Sequence, residues 1–180
     1  MDLVDELRTI VGTDFVVTRR DQMGQYLLDE TPQAVKPVPA DNVIVAKPAS
    51  AAQVSAIVKL ANRTLTPLYP RGGGTSTVGG PIPTADGIVL SLERLDHIAE
   101  IDTANLMVVA EAGVTMETML RSVEAEGLLF PPHPGDEGAQ VGGVIACNAG
   151  GSRAVKYGIV RNYVKGLEAV SYTHLTLPTN

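Results

Sequence analysis

The residues best suited to chemistry lie in the run Tyr69-Pro70-Arg71-Gly72-Gly73-Gly74-Thr75-Ser76-Thr77-Val78-Gly79-Gly80. Backbone without side chains lets amide N–H groups approach another molecule closely, and a row of such amides forms an anion-binding concavity. Thr75 and Ser76 add hydroxyl donors, and Arg71 adds a cation. The set suits phosphate oxygens, although a plain glycine-rich turn between strands has the same composition. A Walker loop is excluded because no Lys comes after the glycines. The dinucleotide fingerprint is excluded because Thr77 stands where its third glycine belongs. The next segment is not helical: Gly79-Gly80-Pro81-Ile82-Pro83 is a second turn, leading to the strand-like 87–92. The loop therefore joins strand to strand.

A second stretch, Pro131 to Arg153, is also rich in glycine and carries no bulky side chain between Gln140 and Ile145. Such a segment can run flat against a planar or extended ligand and contact it through backbone groups. Its individual polar residues have plainer readings. His133, between prolines and with no carboxylate at an obvious spacing, reads as a rigid-turn residue rather than a base. Cys147 reads as a small packing residue, and Asp136-Glu137 as a solvated turn. Asn148 suits a turn as well as a ligand contact. Together the two glycine-rich stretches could clasp one long ligand from two sides.

These stretches need elements to position them. Asp2 to Val11 has Leu3, Leu7 and Ile10 on one helical face, with Gly12 as its stop. Residues 13–41 read as an irregular, proline-rich arm lying over the main body. Residues 42–46 form a β-branched strand, and Ser50 to Gln53 is a capping-box pattern. The helix after this cap places Val54, Ile57, Val58 and Ala61 on one face and ends at Asn62-Arg63, before a strand over 65–69. Ligands usually meet loops at the carboxyl ends of such strands. A second unit begins near Leu95, with paired strands over 98–102 and 106–112. A helix then starts at Thr115, buries Met116, Met119, Leu120 and Val123, and stops at Gly127.

Composition bounds the function. Apolar residues make up 44%, enough for a core, and Trp is absent. A net charge of −6 argues against nucleic-acid or membrane-surface binding, both of which use a basic face. One cysteine leaves no internal disulfide and no Cys-rich metal site. The acidic start lacks the basic end and apolar core of a signal peptide, so a cytoplasmic protein is expected.

Arg71 to Ser76 with Gly79-Gly80, then Pro134-Gly135, then Val141 to Gly151, then Lys156-Tyr157-Gly158, in that order and spacing, closely resemble the FAD-binding domain of FAD-linked oxidases. This is the vanillyl-alcohol-oxidase or PCMH-type family, and the sequence is most similar to its D-lactate dehydrogenase and glycolate oxidase D-subunit branch. The resemblance runs from about Val4 to Ala169. It implies an α+β fold of two α+β subdomains with FAD between them, the second incomplete. The expected division is an N-terminal helix and arm (1–41), a first FAD-binding subdomain (42–94), a truncated second one (95–169) and a tail (170–180). The resemblance implies that Arg71, Gly72, Gly73, Gly74, Thr75 and Ser76 hold the pyrophosphate through backbone amides, with Pro70 and Gly79 also binding the cofactor. Pro134, Gly135, Asp136, Gly142, Gly143, Ile145, Asn148, Gly150, Gly151, Tyr157 and Gly158 would line the rest of the cofactor. Some relatives attach flavin covalently through a His after the first glycine run or a Cys early in the second stretch. Thr75 and, approximately, Glu137 stand there, so non-covalent FAD is expected.

The branch removes a hydride from the α-carbon of a 2-hydroxy acid to flavin N5. Other alcohols or sugars are substrates elsewhere in the family, and a pure electron-transfer module is a third reading. Substrate arginine, base and any metal ligands would come from a C-terminal cap domain, so no catalytic or metal-binding residue is assigned here. A partner subunit carrying an iron–sulfur centre or other electron acceptor, with peripheral membrane association through it, is compatible with the branch. The tail 170–180 resembles a translated sequencing adapter rather than the family's continuation, and His174 receives no role.

Overall fold

The structure, a computed structural model, describes residues 2–170 and the backbone of 176–179. It divides into two compact units, Met1–Arg94 with Gly166–Asn180, and Leu95–Lys165.

In the first unit α1 (Leu3–Val11) precedes β1 (Val16–Val17), β2 (Val43–Ala46), α2 (Ala51–Thr64), β3 (Leu68–Arg71) and β4 (Gly87–Ser91). The sheet order is β1-β2-β4-β3. β2, β4 and β3 run parallel, while β1 pairs antiparallel with β2. Every residue of β4 is buried, as a central parallel strand covered on both faces requires. The period of two explains how. Ala46, Ile88 and Leu90 face a core with Leu7 and Val11 of α1 and Ile57, Leu60 and Ala61 of α2. Val43, Val45 and Val89 face Met23, Tyr26 and Leu27. The 13–41 arm is thus more than a surface wrap: it contributes a strand and the apolar cover of the second sheet face. Each of the buried Val, Leu, Ile and Met side chains stabilises the fold by about 1.5–3 kcal/mol relative to exposure.

α2 begins as the capping pattern predicts. Gln53 N donates to Ser50 Oγ at 3.2 Å, and Ala49 N donates to Gln53 Oε1 at 2.8 Å. The helix ends later than predicted. Leu65 closes it in the left-handed region at φ 52, so the strand falls at 68–71 rather than 65–69. That shift puts Pro70 and Arg71 at the strand's carboxyl end.

The second unit holds β5 (Ile98–Asp102) and β6 (Met107–Ala110), an antiparallel pair, then α3 (Met116–Ala125), α4 (Val141–Ala146) and α5 (Ala154–Tyr157). Thr115 caps α3 by accepting from Thr118 N at 3.2 Å. Met116, Met119, Leu120 and Val123 are buried, as their spacing predicts. Gly127, at φ 72, and the Leu128 N donation to the Val123 carbonyl at 3.0 Å close the helix in a Schellman arrangement. α4 is an element not predicted from the sequence: Val141 to Ala146, read as a glycine-rich run able to lie flat against a ligand, is helical.

β7 (Leu167–Val170) pairs antiparallel with β8 (Thr176–Thr179). The expectation of a foreign tail falls largely outside the described residues. No helix among the described residues is long and apolar enough to cross a membrane.

Candidate functional site

The glycine loop leaves the carboxyl end of β3 and returns to the start of the parallel β4 without an intervening helix. Arg71 closes β3 and is 7% exposed. Gly74, at φ 76, lies so close above its guanidinium that a Cβ there would overlap Arg71 Nη2. The cation expected to face a ligand therefore lies beneath the loop. Its Nη1 is buried without a hydrogen-bond partner. Burial pulls the guanidinium below its usual pKa, against the attraction of Asp29, Tyr26 and Glu93. It stays charged, as arginine does in proteins.

Among the described residues, no acceptor takes the amides of residues 72–77. The far end of the loop is fastened instead. Gly79 N donates to Asp29 Oδ2 at 3.0 Å, and Glu30 N donates to the Ser76 carbonyl at 2.9 Å. Asp29, itself buried, also accepts from Thr31 N and Thr31 Oγ1, each at 3.0 Å. Burial would raise its pKa, but the donors of Thr31, Gly79 and Ser76 outweigh this and hold it below the usual carboxylate value.

A second carboxylate, Glu93, accepts from Tyr26 Oη at 3.0 Å and Ser91 Oγ at 2.9 Å and pairs with Lys47 Nζ at 2.9 Å. Burial opposes its charge, while Lys47, Ser91 and Tyr26 win and lower its pKa. Lys47 is raised in turn: burial works against it, and Tyr26 and Glu93 outweigh the burial. Two cations and two carboxylates thus share the ground around the loop. Asp29, Thr31, Lys47, Tyr26 and Glu93 are absent from the sequence-based site. The one local signal was an acid and a threonine closing the apolar run Tyr26-Leu27-Leu28.

In the second unit the glycines do different work. Gly142 N donates to the Ala112 carbonyl at 2.8 Å, and a Cβ on Gly142 would lie 2.8 Å from Ala112 Cβ. Gly143 beside it is exposed, with nothing within 4 Å of its Cβ position. Pro134 comes after His133, whose backbone bridges Gly151; a Cβ on Gly151, at φ 91, would overlap the His133 carbonyl oxygen. Gly135 has φ 94, and Gly150 packs beside Ile159 and Ala154. Asn148, at φ 49, accepts from Arg161 N through Oδ1 at 3.1 Å. Tyr157 accepts from Tyr163 Oη through its carbonyl at 2.7 Å, and Gly158, at φ 84, leaves room for Asn162 Nδ2. Ile145 packs on the unit's core. Asp136 takes Gly138 N at 2.8 Å, the turn its sequence suggested. His133 does have a carboxylate near it, Glu137 at 3.5 Å, four residues on. The structure thus gathers Pro70 to Gly79 in the first unit, and Pro134 with Gly150 and Gly151 in the second.

A loop of unspent amides over a buried arginine, at the carboxyl end of parallel strands, is an arrangement suited to a phosphate-bearing ligand. The comparisons make that class specific. The chain belongs to the FAD binding domain family, matched over residues 43–173, and FAD is that family's cofactor. It is 48% identical over 170 residues to a D-lactate dehydrogenase of Archaeoglobus fulgidus, covering 94% of this chain and 37% of that protein. It is 40% identical over 146 residues to the glycolate oxidase subunit GlcD of Bacillus subtilis, covering 81% of this chain and 30% of that protein. The chain therefore spans about a third of the length of the curated relatives it matches. p-Cresol methylhydroxylase has the same fold, with TM-score 0.80 and 18% identity, over 98% of this chain and 34% of that one. The fold is α+β and of this PCMH type.

The donor set fits the cofactor. A diphosphate offers acceptors only, and the loop has donors left unspent to meet them: the amides of 72–77, with the orphaned Arg71 Nη1 beneath.

Proposed function

We propose that this chain is the FAD-holding portion of a flavoprotein that oxidises a 2-hydroxy acid of the D-lactate or glycolate type, with the FAD bound non-covalently. The observation that carries the reading is the row of unspent amides over the buried, partnerless Arg71 Nη1. The relatives' names supply the substrate class, and Thr75 supports the non-covalent state. In this reading Gly72 to Ser76 donate backbone N–H groups to the pyrophosphate, and Arg71 adds positive potential from beneath. Pro134 to Asp136, Gly142-Gly143, Ile145, Asn148, Gly150-Gly151 and Tyr157-Gly158 line the remainder. When bound, flavin supplies a hydride acceptor at N5. The chain's own residues anchor the cofactor, while the substrate's carboxylate and hydroxyl proton are assigned to groups of a cap domain.

Flavin titrations test the reading. FAD should bind about tenfold or more tightly than riboflavin, because charge-assisted bonds to the pyrophosphate are lost in riboflavin. Acid precipitation should release all flavin into the supernatant; flavin retained on the polypeptide overturns the non-covalent state. In the natural holoprotein, anaerobic D-lactate or glycolate should bleach the flavin absorbance, and no bleaching by either acid overturns the substrate class.

A further inference from the structure

A carboxylate beneath a phosphate site is electrostatically adverse taken alone, because like charges repel. Asp29 is such a carboxylate. It sits on the arm and is buried against the loop's far end. Burying it is costly unless its oxygens are satisfied, and they are. Oδ1 takes Thr31 N, and Oδ2 takes Thr31 Oγ1 and Gly79 N. Two further contacts fix the same turn: the Glu30 N donation to the Ser76 carbonyl, and Pro37, whose Cγ lies 2.7 Å from the Cβ position of Gly79. An ionised carboxylate only accepts hydrogen bonds. It therefore consumes donors at Gly79 and Ser76, while the amides of 72–77 keep theirs unspent.

We propose that Asp29 is a positioning residue for the cofactor: its carboxylate holds Ser76 and Gly79 so that the preceding amides present themselves to the pyrophosphate. This rests on the FAD reading above. It makes a sign prediction. Asp29→Asn removes a negative charge near the phosphates, which by charge alone tightens FAD. It also turns an NH2 toward the Thr31 or Gly79 donors, which undoes the fastening. Positioning outweighs charge, so the net change is a loss.

The experiment titrates FAD and riboflavin into the 180-residue chain and into Asp29→Asn, Asp29→Glu and Thr31→Val, following flavin fluorescence, with amide hydrogen exchange read at Gly79. Asp29→Asn should weaken FAD about tenfold or more, the scale of a lost charge-assisted bond, and leave riboflavin unchanged. A general loss of structure would move both ligands together. Gly79 exchange should quicken, and Asp29→Glu, which keeps the charge but misplaces it, should fall between. Equal or tighter FAD binding by Asp29→Asn overturns the inference and leaves the FAD reading standing. An unaltered chain with no preference for FAD over riboflavin overturns the FAD reading, and this inference with it. If Asp29→Asn loses its far-ultraviolet dichroism, Thr31→Val and Asp29→Glu decide: an unchanged FAD-to-riboflavin ratio in both overturns the inference.

Discussion

In the loop after β3, glycine leaves backbone donors unspent; in the stretch from Pro134 to Gly158, glycine mostly lets backbone segments touch. Gly142, Gly151 and Gly158 each make room for a neighbour inside their own unit: Ala112, the His133 carbonyl and Asn162. In the first loop Arg71 lies beneath, Asp29 fastens the far end at Gly79, and the amides of 72–77 have no partner among the described residues. The two stretches look alike in composition because both need residues without a Cβ. On the FAD reading proposed above the physical need differs: the first stretch keeps amides open to a ligand, with Gly74 and Gly79 also making room for Arg71 and Pro37, while the second lets the chain approach itself.

That comparison breaks most visibly at Gly151. A Cβ there would overlap the His133 carbonyl oxygen, and φ 91 already disfavours any other residue. Gly151→Ala is expected to cost about 3 kcal/mol or more, combining left-handed strain with overpacking. Urea denaturation should show a much lower midpoint. A midpoint equal to the unaltered chain's would mean that Gly151 does not serve internal packing.

Gly74→Ala probes the other region and should cost less stability. Its Cβ meets the tip of a side chain, Arg71 Nη2, rather than backbone, so the guanidinium can shift. Strain at φ 76 sets the scale, about 1–2 kcal/mol. The larger consequence is for the ligand, since Arg71 leaves its place under the loop. FAD affinity should fall by about tenfold or more in titration. Wild-type affinity in a destabilised Gly74→Ala chain would show that the position of Arg71 does not matter to the cofactor.

Much of the scaffold was legible because its signals are local. The Ser50–Gln53 cap, the four buried residues of α3 and the β5–β6 pair emerge from spacing over a few residues. The illegible part depends on partners far along the chain. Met23, Tyr26 and Leu27 keep helical spacing for only about one turn in an otherwise irregular segment, yet they cover a sheet face made by β2 and β4. β3 starts at Leu68 because Leu65 closes α2 and the ladder with β4 then sets the register. α4 is helical despite Gly142-Gly143 because Val141 N and Gly142 N bond to the carbonyls of Val114 and Ala112, which fixes its first turn. Asp29 was invisible for the same reason: its meaning lies in Gly79, and nothing near Asp29 in sequence names that partner.

The smallest effect sharpens the comparison furthest. Gly143 is a glycine of the second stretch that neither internal packing nor a positive φ explains, being exposed in α4 with no atom within 4 Å of its Cβ position. A methyl group there meets no neighbour and reduces the entropy cost of a helical glycine. Gly143→Ala should therefore raise stability, by about 0.5–1 kcal/mol on helix propensity. If the residue is glycine because flavin lies against it, the same substitution should weaken FAD while the thermal midpoint rises. Opposite signs in the two measurements would mark Gly143 as the point where the second stretch behaves like the first. A rise in stability with unchanged FAD affinity would confine the close approach of ligand to the loop after β3 and leave this glycine without a ligand-facing reason.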